Sequence, residues 1–216
     1  MSALVEILNS ILLAINDFTN NYGLSIIILT ILVRVITWPL MSKQLASARA
    51  MQELQPEIKK LQEKYKNDKE KLNAATLELW KKHNINPAAG CLPLLIQLPI
   101  LWAVFQLLKS PPPLAEESFF LLGVDMRLAL ETAWKSHPGY WILVLLSGVT
   151  TFIQQKMVTT DKSQQSMMIM MPLLFLYFSV KFQAGLVLYW VVNNLLSIGQ
   201  QMLINRRPAK GAVSEK

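Results

Sequence analysis

The sequence predicts an all-α, polytopic membrane protein with a core of five transmembrane helices, a cytoplasmic helical hairpin and an N-terminal interfacial amphipathic helix. Composition is the first reason. Of 216 residues, 52% are hydrophobic and only 16% charged, whereas a soluble domain carries about a quarter charged residues. The second is length: apolar runs near the ~20 residues needed to cross a bilayer recur along the chain. The third is charge placement. Ten lysines and arginines fall within 42–87, and Lys156, Lys162, Arg206, Arg207, Lys210 and Lys216 bring that side to sixteen, against Lys109, Arg127, Lys135 and Lys181 on the other. Basic loops stay cytoplasmic, so 42–87 and the C-terminus are expected inside and the N-terminus outside.

Residues 1–22 open the chain without a basic n-region or a small-residue cleavage site, so no cleavable signal is expected. Leu4, Ile7, Leu8, Ile11, Leu12 and Ile15 recur at three- and four-residue steps. That spacing fits a helix lying along the membrane surface and equally an ordinary packed helix; the external interfacial assignment is carried forward. The first span, 23–41, reads "GLSIIILTILVRVITWPLM".

Segment 42–87 reads as a cytoplasmic helical hairpin. Leu45, Met51, Leu54, Ile58, Leu61 and Tyr65 form one stripe, Asn67 and Asp68 offer a turn and an N-cap, and Leu72, Leu79 and Trp80 resume an apolar face. Pro56 predicts a kink or break in the first arm. The second span is 88–108. An external loop, 109–138, is expected to be irregular with one short helix around 125–134. The third span, 139–157, is followed by a cytoplasmic loop at 158–166. The fourth, 167–182, is short enough to imply snorkelling or local bilayer thinning. The fifth is 184–204, and 205–216 is a cytoplasmic basic tail. No internal repeat is present.

Arg34 sits inside the first span. A charge near a helix centre costs about 2.5–3.5 kcal/mol on insertion scales, so it must face protein or water. None of the five spans contains Asp or Glu, which leaves hydroxyls, amides, backbone carbonyls, water or a ligand as partners. Thr30 lies one turn away on the same face, and Gln97 is mid-span in the second helix. Thr150, Thr151, Gln154 and Gln155 occupy the cytoplasmic half of the third span, and Asn193, Asn194, Ser197, Gln200 and Gln201 that of the fifth. Together they suggest a wet, positively charged cavity open to the cytoplasm and closed outward. A pore would need polar lining along its whole length.

Met157, Met167, Met168, Met170 and Met171 cluster at the cytoplasmic ends of the third and fourth spans. Methionine suits surfaces that accept varied apolar partners, and it is also common filler in membrane helices. The net charge of +7 favours acidic partners. Clustered base-stacking aromatics between the lysines are absent, so sequence-specific nucleic-acid binding is not expected. The single cysteine, Cys91, excludes an internal disulfide framework.

The signals "GLSIIILTILVRVITWPL", "LQPEIKKLQEKY", "NPAAGCLPLLIQLPI", "FIQQKM" and "GLVLYWVVNNLLSIGQQ" resemble, in order, the YidC family of membrane protein insertases. The resemblance covers about 20 to 206 and implies a bacterial plasma-membrane insertase and chaperone that inserts, folds or assembles new membrane proteins, alone or with the Sec translocon. It implies a groove open to cytoplasm and lipid, with Arg34 as the groove arginine, Thr30 its neighbour and Gln97 a lining amide; Thr151, Gln154, Asn194 and Trp190 are the further groove candidates. Met157, Met167, Met168 and Met171 are candidates for the apolar slide, and Lys59, Lys60, Lys64 and Lys66 for hairpin contacts. Implied partners are nascent membrane proteins, lipid, the ribosome, the Sec translocon and the signal-recognition-particle receptor, with a monomer sufficing. No large external domain precedes the first span, so a short form is expected, and the short tail argues against strong ribosome docking. Where the family often has two adjacent tyrosines this chain has Tyr189 and Trp190.

Neither a catalytic nor a metal-binding residue set is expected, and no cofactor: His83 and His137 lie outside the spans, and no span holds a carboxylate pair. A small-molecule or anion transporter using Arg34 is disfavoured by one-sided polarity and the lack of inverted repeats. An assembly chaperone for other membrane proteins shares the same groove and stays open.

Overall fold

A computed structural model describes residues 2–83, 92–112, 114–158 and 165–206; the side chains of Ser2, Ala48, 92–96, Glu117, Ser118, Val158, 165–168 and Arg206 lie outside that description. The chain opens with α1 (Ser2–Thr19) and turns through Asn20, whose φ is 50°. Helix α2 (Tyr22–Glu53) begins where the Asn21 side chain accepts a hydrogen bond from the Leu24 amide, satisfying one of the orphan donors of a helix start. Its 32 residues span about 48 Å. The first span and the first arm of the expected hairpin are therefore one helix, with no break at 41/42. Residues 43–53 are mostly good helix formers, and nothing in them stops the helix until Leu54. Pro56 then takes the first turn of α3 (Gln55–Lys64), where its missing N–H costs nothing.

Helix α4 (Lys69–Lys82) packs back on α3. Asp68 caps it by accepting from the Lys71 amide at 3.0 Å, and that bond holds the Asp68 carboxyl below the usual carboxylate range. Leu54 and Ile58 are buried at the base of this hairpin, while Lys59, Lys60, Lys64 and Lys66 are exposed. The remaining long helices are α5 (Leu92–Lys109), α7 (Gly139–Val158), α8 (Gln165–Lys181) and α9 (Ala184–Arg206). The predicted positions 84–91, 159–164 and 207–216, Cys91 included, fall outside the described residues.

The stretch between α5 and α7 is more ordered than the sequence suggested. A 3-10 turn (Glu116–Phe119) leads into β1 (Phe120–Leu121), which pairs antiparallel with β2 (Val124–Asp125), and α6 is the four-residue helix Leu130–Ala133. The ribbon turns through Leu122 and Gly123, with φ of 51° and 81°. Two-residue hairpin turns need positive φ and usually signal it with Asn-Gly or Asp-Gly. A leucine in that place hides the turn from a sequence reader.

The interior combines an apolar core, from Leu8 and Leu12 to Val187 and Tyr189, with an unusual number of polar residues, and the outside is apolar. Ser25, Thr30, Arg34, Gln44, Ser147, Thr150, Thr151, Asn193, Asn194, Ser197, Gln200 and Gln201 are buried. Leucine, isoleucine and valine cover the outside: Ile28, Ile31, Leu32, Val35 and Ile36 on α2, and Ile142, Leu145, Leu146, Val149 and Ile153 on α7. Exposed apolar faces of that extent belong against lipid. Among the described residues, α2 is long and apolar enough to cross a membrane, and Ile169–Lys181 forms a shorter apolar helix. Helix α1 buries Leu8, Leu12 and Asn16 against α2 and α5, leaving Ile7 and Phe18 exposed.

Helices α7 and α8 approach closely at Gly148, where an added Cβ would lie 2.7 Å from Leu176 Cγ; the hydroxyls of Ser147 and Ser179 bond across the same interface at 2.8 Å. Small residues of this kind let membrane helices come into contact. Gly148→Val is therefore expected to destabilise the protein by about 1–3 kcal/mol, with Gly148→Ala costing less. Thermal unfolding in detergent measures this, and an unchanged midpoint for the valine variant would show that α8 can move off α7 freely.

Candidate functional site

Arg34 stands twelve residues into α2 and is only 9% exposed. Its partners come from α9. Nε donates to Asn193 Oδ1 at 2.8 Å, and Nη2 donates to the Asn193 carbonyl at 3.1 Å and to the Ser197 hydroxyl. Amide, carbonyl and hydroxyl thus replace the missing carboxylate, and the site keeps its positive charge. Asn193 and Ser197 are one turn apart, so both project from one face of α9. Thr30 is buried beside Arg34 on α2, with its hydroxyl donated to the Ile26 carbonyl.

Adjacent residues on a helix point in different directions, and this divides the predicted site. Asn194 faces α7, where its Nδ2 donates to Thr150 Oγ1 at 3.2 Å and Thr151 Oγ1 at 3.0 Å. Trp190 Nε1 donates to the same Thr151 hydroxyl at 2.9 Å. Arg34 with Thr30 and Asn193 therefore lies on one side of α9, and Thr151 with Asn194 and Trp190 on another. Asn194 Oδ1 is buried without a partner among the described residues. Gln97 adjoins the Arg34 side through one residue: its Nε2 donates at 3.0 Å to the hydroxyl of buried Tyr189, which links α5 to α9 and lies within electrostatic reach of Arg34. Gln154 is half-buried on α7.

A cleft of about 360 Å³ opens between α5 and α8 over α9. Its walls include Leu98, Trp102 and Phe105 from α5 and Phe175 and Phe178 from α8. This apolar surface was missed in the sequence, where the methionines drew attention instead. Met171 is half-buried on α8, Met157 contributes its carbonyl to Gln201 and Gln52, and the side chains of Met167 and Met168 lie outside the described residues. The available signal was a pair of short, aromatic-rich apolar runs, "LWAVF" and "FLYF". Trp190 joins the two environments. Its ring stacks on Phe175 with centroids 4.0 Å apart in the cleft, while its N–H reaches the Thr151 cluster, the amphipathic use typical of tryptophan.

Comparison with known proteins adds to this geometry. The family described as 60Kd inner membrane protein matches residues 14–211. A membrane protein insertase YidC from Syntrophus aciditrophicus is 41% identical over 193 residues, covering 88% of this chain and 34% of the relative. One from Geobacter sulfurreducens is likewise 41% identical over 193 residues, covering 88% and 35%. The chain thus spans about a third of the length of the curated relatives it matches. A solved structure described as "Active YidC insertase crystal structure with the first transmembrane domain resolved" superposes with a TM-score of 0.70 at 28% identity, covering 92% of this chain and 45% of that one.

Because the Arg34 charge is held by neutral groups on one neighbour, removing that neighbour leaves a buried donor unsatisfied. Asn193→Leu and Arg34→Met, alone and combined, are expected to show a coupling of about 1.5–3 kcal/mol in a double-mutant cycle measured by unfolding in detergent. A coupling near zero would mean that water, and not Asn193, satisfies the guanidinium.

Proposed function

The chain belongs to the 60Kd inner membrane protein family, which includes the YidC insertases it matches, and on that premise we propose that it inserts, folds and assembles newly made membrane proteins without hydrolysing anything. The observation that carries this reading is a permanent positive charge held deep in an apolar bundle by neutral partners, beside an apolar cleft that faces a different direction. A nascent membrane segment has two parts with opposite needs. Its hydrophilic, often acidic, flanking tail needs polar, positive surroundings; its apolar span needs a path to lipid. Arg34, with Thr30, Asn193 and Ser197, offers the first. The cleft between α5 and α8, with Met171 at the cytoplasmic part of α8, offers the second.

In this scheme the tail moves from the cytoplasm toward Arg34 and so avoids crossing the full apolar thickness, which lowers the desolvation cost of translocation. The apolar segment leaves along α5 and α8 into lipid. Helix α8 has 17 residues, about 25 Å of helix, against a hydrocarbon core of about 30 Å. Local thinning at this short helix would shorten the remaining distance. Trp190 stands where the two routes meet and holds the polar cluster of α7 against the aromatic wall of the cleft. Thr151, Gln154, Asn194 and Gln97 extend the polar interior from α7, α9 and α5.

The basic loops favour five spans with the N-terminus outside and the C-terminus in the cytoplasm of a bacterial inner membrane. The α3–α4 hairpin would then face the ribosome or a targeting factor with Lys59, Lys60, Lys64 and Lys66 exposed. Nascent membrane proteins and lipid are the primary partners; the Sec translocon and the signal-recognition-particle receptor are the proposed accessories. One copy suffices, since the cleft opens on the outside of a single bundle.

The test is insertion of a single-span substrate with an acidic external tail into proteoliposomes holding the purified protein. Arg34→Ala is expected to lose at least ten-fold in rate, and Arg34→Lys to retain most activity because the site acts as a point charge. Full activity in Arg34→Ala, with folding verified, would sink the electrostatic route. In a second assay, a photo-crosslinker at Trp102 or Phe178 is expected to capture the substrate's apolar span. Capture of the acidic tail there instead would reverse the assignment of the two sites.

A further inference from the structure

We propose that residues 116–133 form a clasp in which the Asp125–Arg127 ion pair sets the register of α2 against α9, so that Asp125 and Arg127 are positioning residues for the Arg34 site. The inference rests on the insertase reading for what that register serves, but its geometry stands apart from it.

Helices α2 and α9 run parallel, with both N-termini at the same end of the bundle. Contacts pair Arg34 with Asn193 near the middle, and Arg49 with the Ile204 and Asn205 carbonyls at the far end. The clasp holds both N-termini. On α2, Asn21 Nδ2 donates to the Phe120 carbonyl at 2.8 Å, Tyr22 meets Phe119 edge to face at 5.1 Å, and Gly23 lies where any Cβ would stand 2.6 Å from Leu121. On α9, the amides of Ala184 and Gly185 donate to the Leu128 and Met126 carbonyls at 2.8 and 2.9 Å. These satisfy two of the donors a helix start leaves open. Tyr140 ties in α7: its hydroxyl accepts from the Asp125 amide at 3.1 Å and lies 3.3 Å from the Asp125 carbonyl. Lys181 ties in α8 through Glu131 at 2.8 Å.

At the centre, Asp125 is buried and accepts from Arg127 Nε at 3.0 Å, Nη2 at 2.7 Å and the Arg127 amide at 2.9 Å. The guanidinium also covers the Phe119 ring at 4.4 Å. The pair is half-buried, with Asp125 inside and Arg127 30% exposed; such a pair adds little net stability, and the best-attested use of an enclosed one is to select one arrangement. Here the arrangement matters, because each residue along a helix advances 1.5 Å and turns 100°. A slip of one residue where Ala184 and Gly185 dock would rotate Asn193 and Ser197 away from Arg34.

The probe is a single cysteine at Ile26, buried on α2 and touching the Gly185 position of α9, in a Cys91→Ser background. The full chain is reconstituted in vesicles and labelled with a membrane-impermeant maleimide from the side carrying the α2 N-terminus. Asp125→Asn and Arg127→Met are expected to raise labelling of Ile26→Cys at least ten-fold. Arg127→Lys, which keeps a point charge, is expected to raise it less than three-fold. A control cysteine at Leu176, on the α7–α8 interface, should keep its rate in every variant. Equal rises at Ile26→Cys and Leu176→Cys would reduce the pair to general stability and overturn the proposal, as would unchanged labelling at Ile26→Cys. If Asp125→Asn does not fold, the Arg127→Met and Arg127→Lys comparison decides alone. Labelling needs no substrate, so a rise confined to Ile26→Cys supports the clasp even if insertion proves independent of Arg34.

Discussion

A guanidinium inside an apolar helix needs partners for its donors, and the way α9 supplies them organises the bundle. Arg34 meets Asn193 and Ser197. Further along, Gln200 Nε2 donates to the Trp38 carbonyl and the Ser42 hydroxyl at 3.2 and 3.0 Å, and Arg49 meets the last carbonyls of α9. These contacts recur about every turn on two parallel helices, so they form a seam and not a spot contact. In lipid there is no hydrophobic drive to hold helices together, and packing and polar contacts must do it. The seam therefore fixes α2 against α9, and α9 carries the second polar cluster to α7 on its other side.

The separation of charge from the apolar cleft follows from that placement. Asn193 and Asn194 are neighbours in sequence, yet one serves Arg34 and the other serves Thr150 and Thr151. The cleft over α9 is bounded by α5 and α8. Trp190 is the side chain common to the Thr151 cluster and the aromatic wall.

Several features were legible because they follow from local chemistry. Arg34 without an intramembrane carboxylate left only neutral partners, and Asn193 and Ser197 are of that kind. Asp68 as the cap of α4 and Pro56 as the residue near a break in the hairpin arm were visible for the same reason, since caps and prolines act over a few residues. The aromatic cleft was not visible, because Trp102 and Phe178 are far apart in sequence and each reads as ordinary membrane-helix filler. The ribbon at 120–125 was hidden by its Leu122-Gly123 turn. The continuity of α2 through residue 53 was hidden by the polarity change at residue 42, which alters the side chains and does not end the helix.

The sequence by itself determined that this chain is helical, with the apolar composition of a membrane protein, and that a lone arginine inside an apolar helix must find uncharged partners. Composition, length and the cost of a charge in lipid suffice for each of these. Only the tertiary structure decided which polar residues share a site, because that depends on the rotation of each helix about its axis. It also decided that 116–133 joins the ends of α2, α7, α8 and α9. Those choices are made by contacts between residues as much as 163 positions apart, as with Arg34 and Ser197, and no local pattern records them.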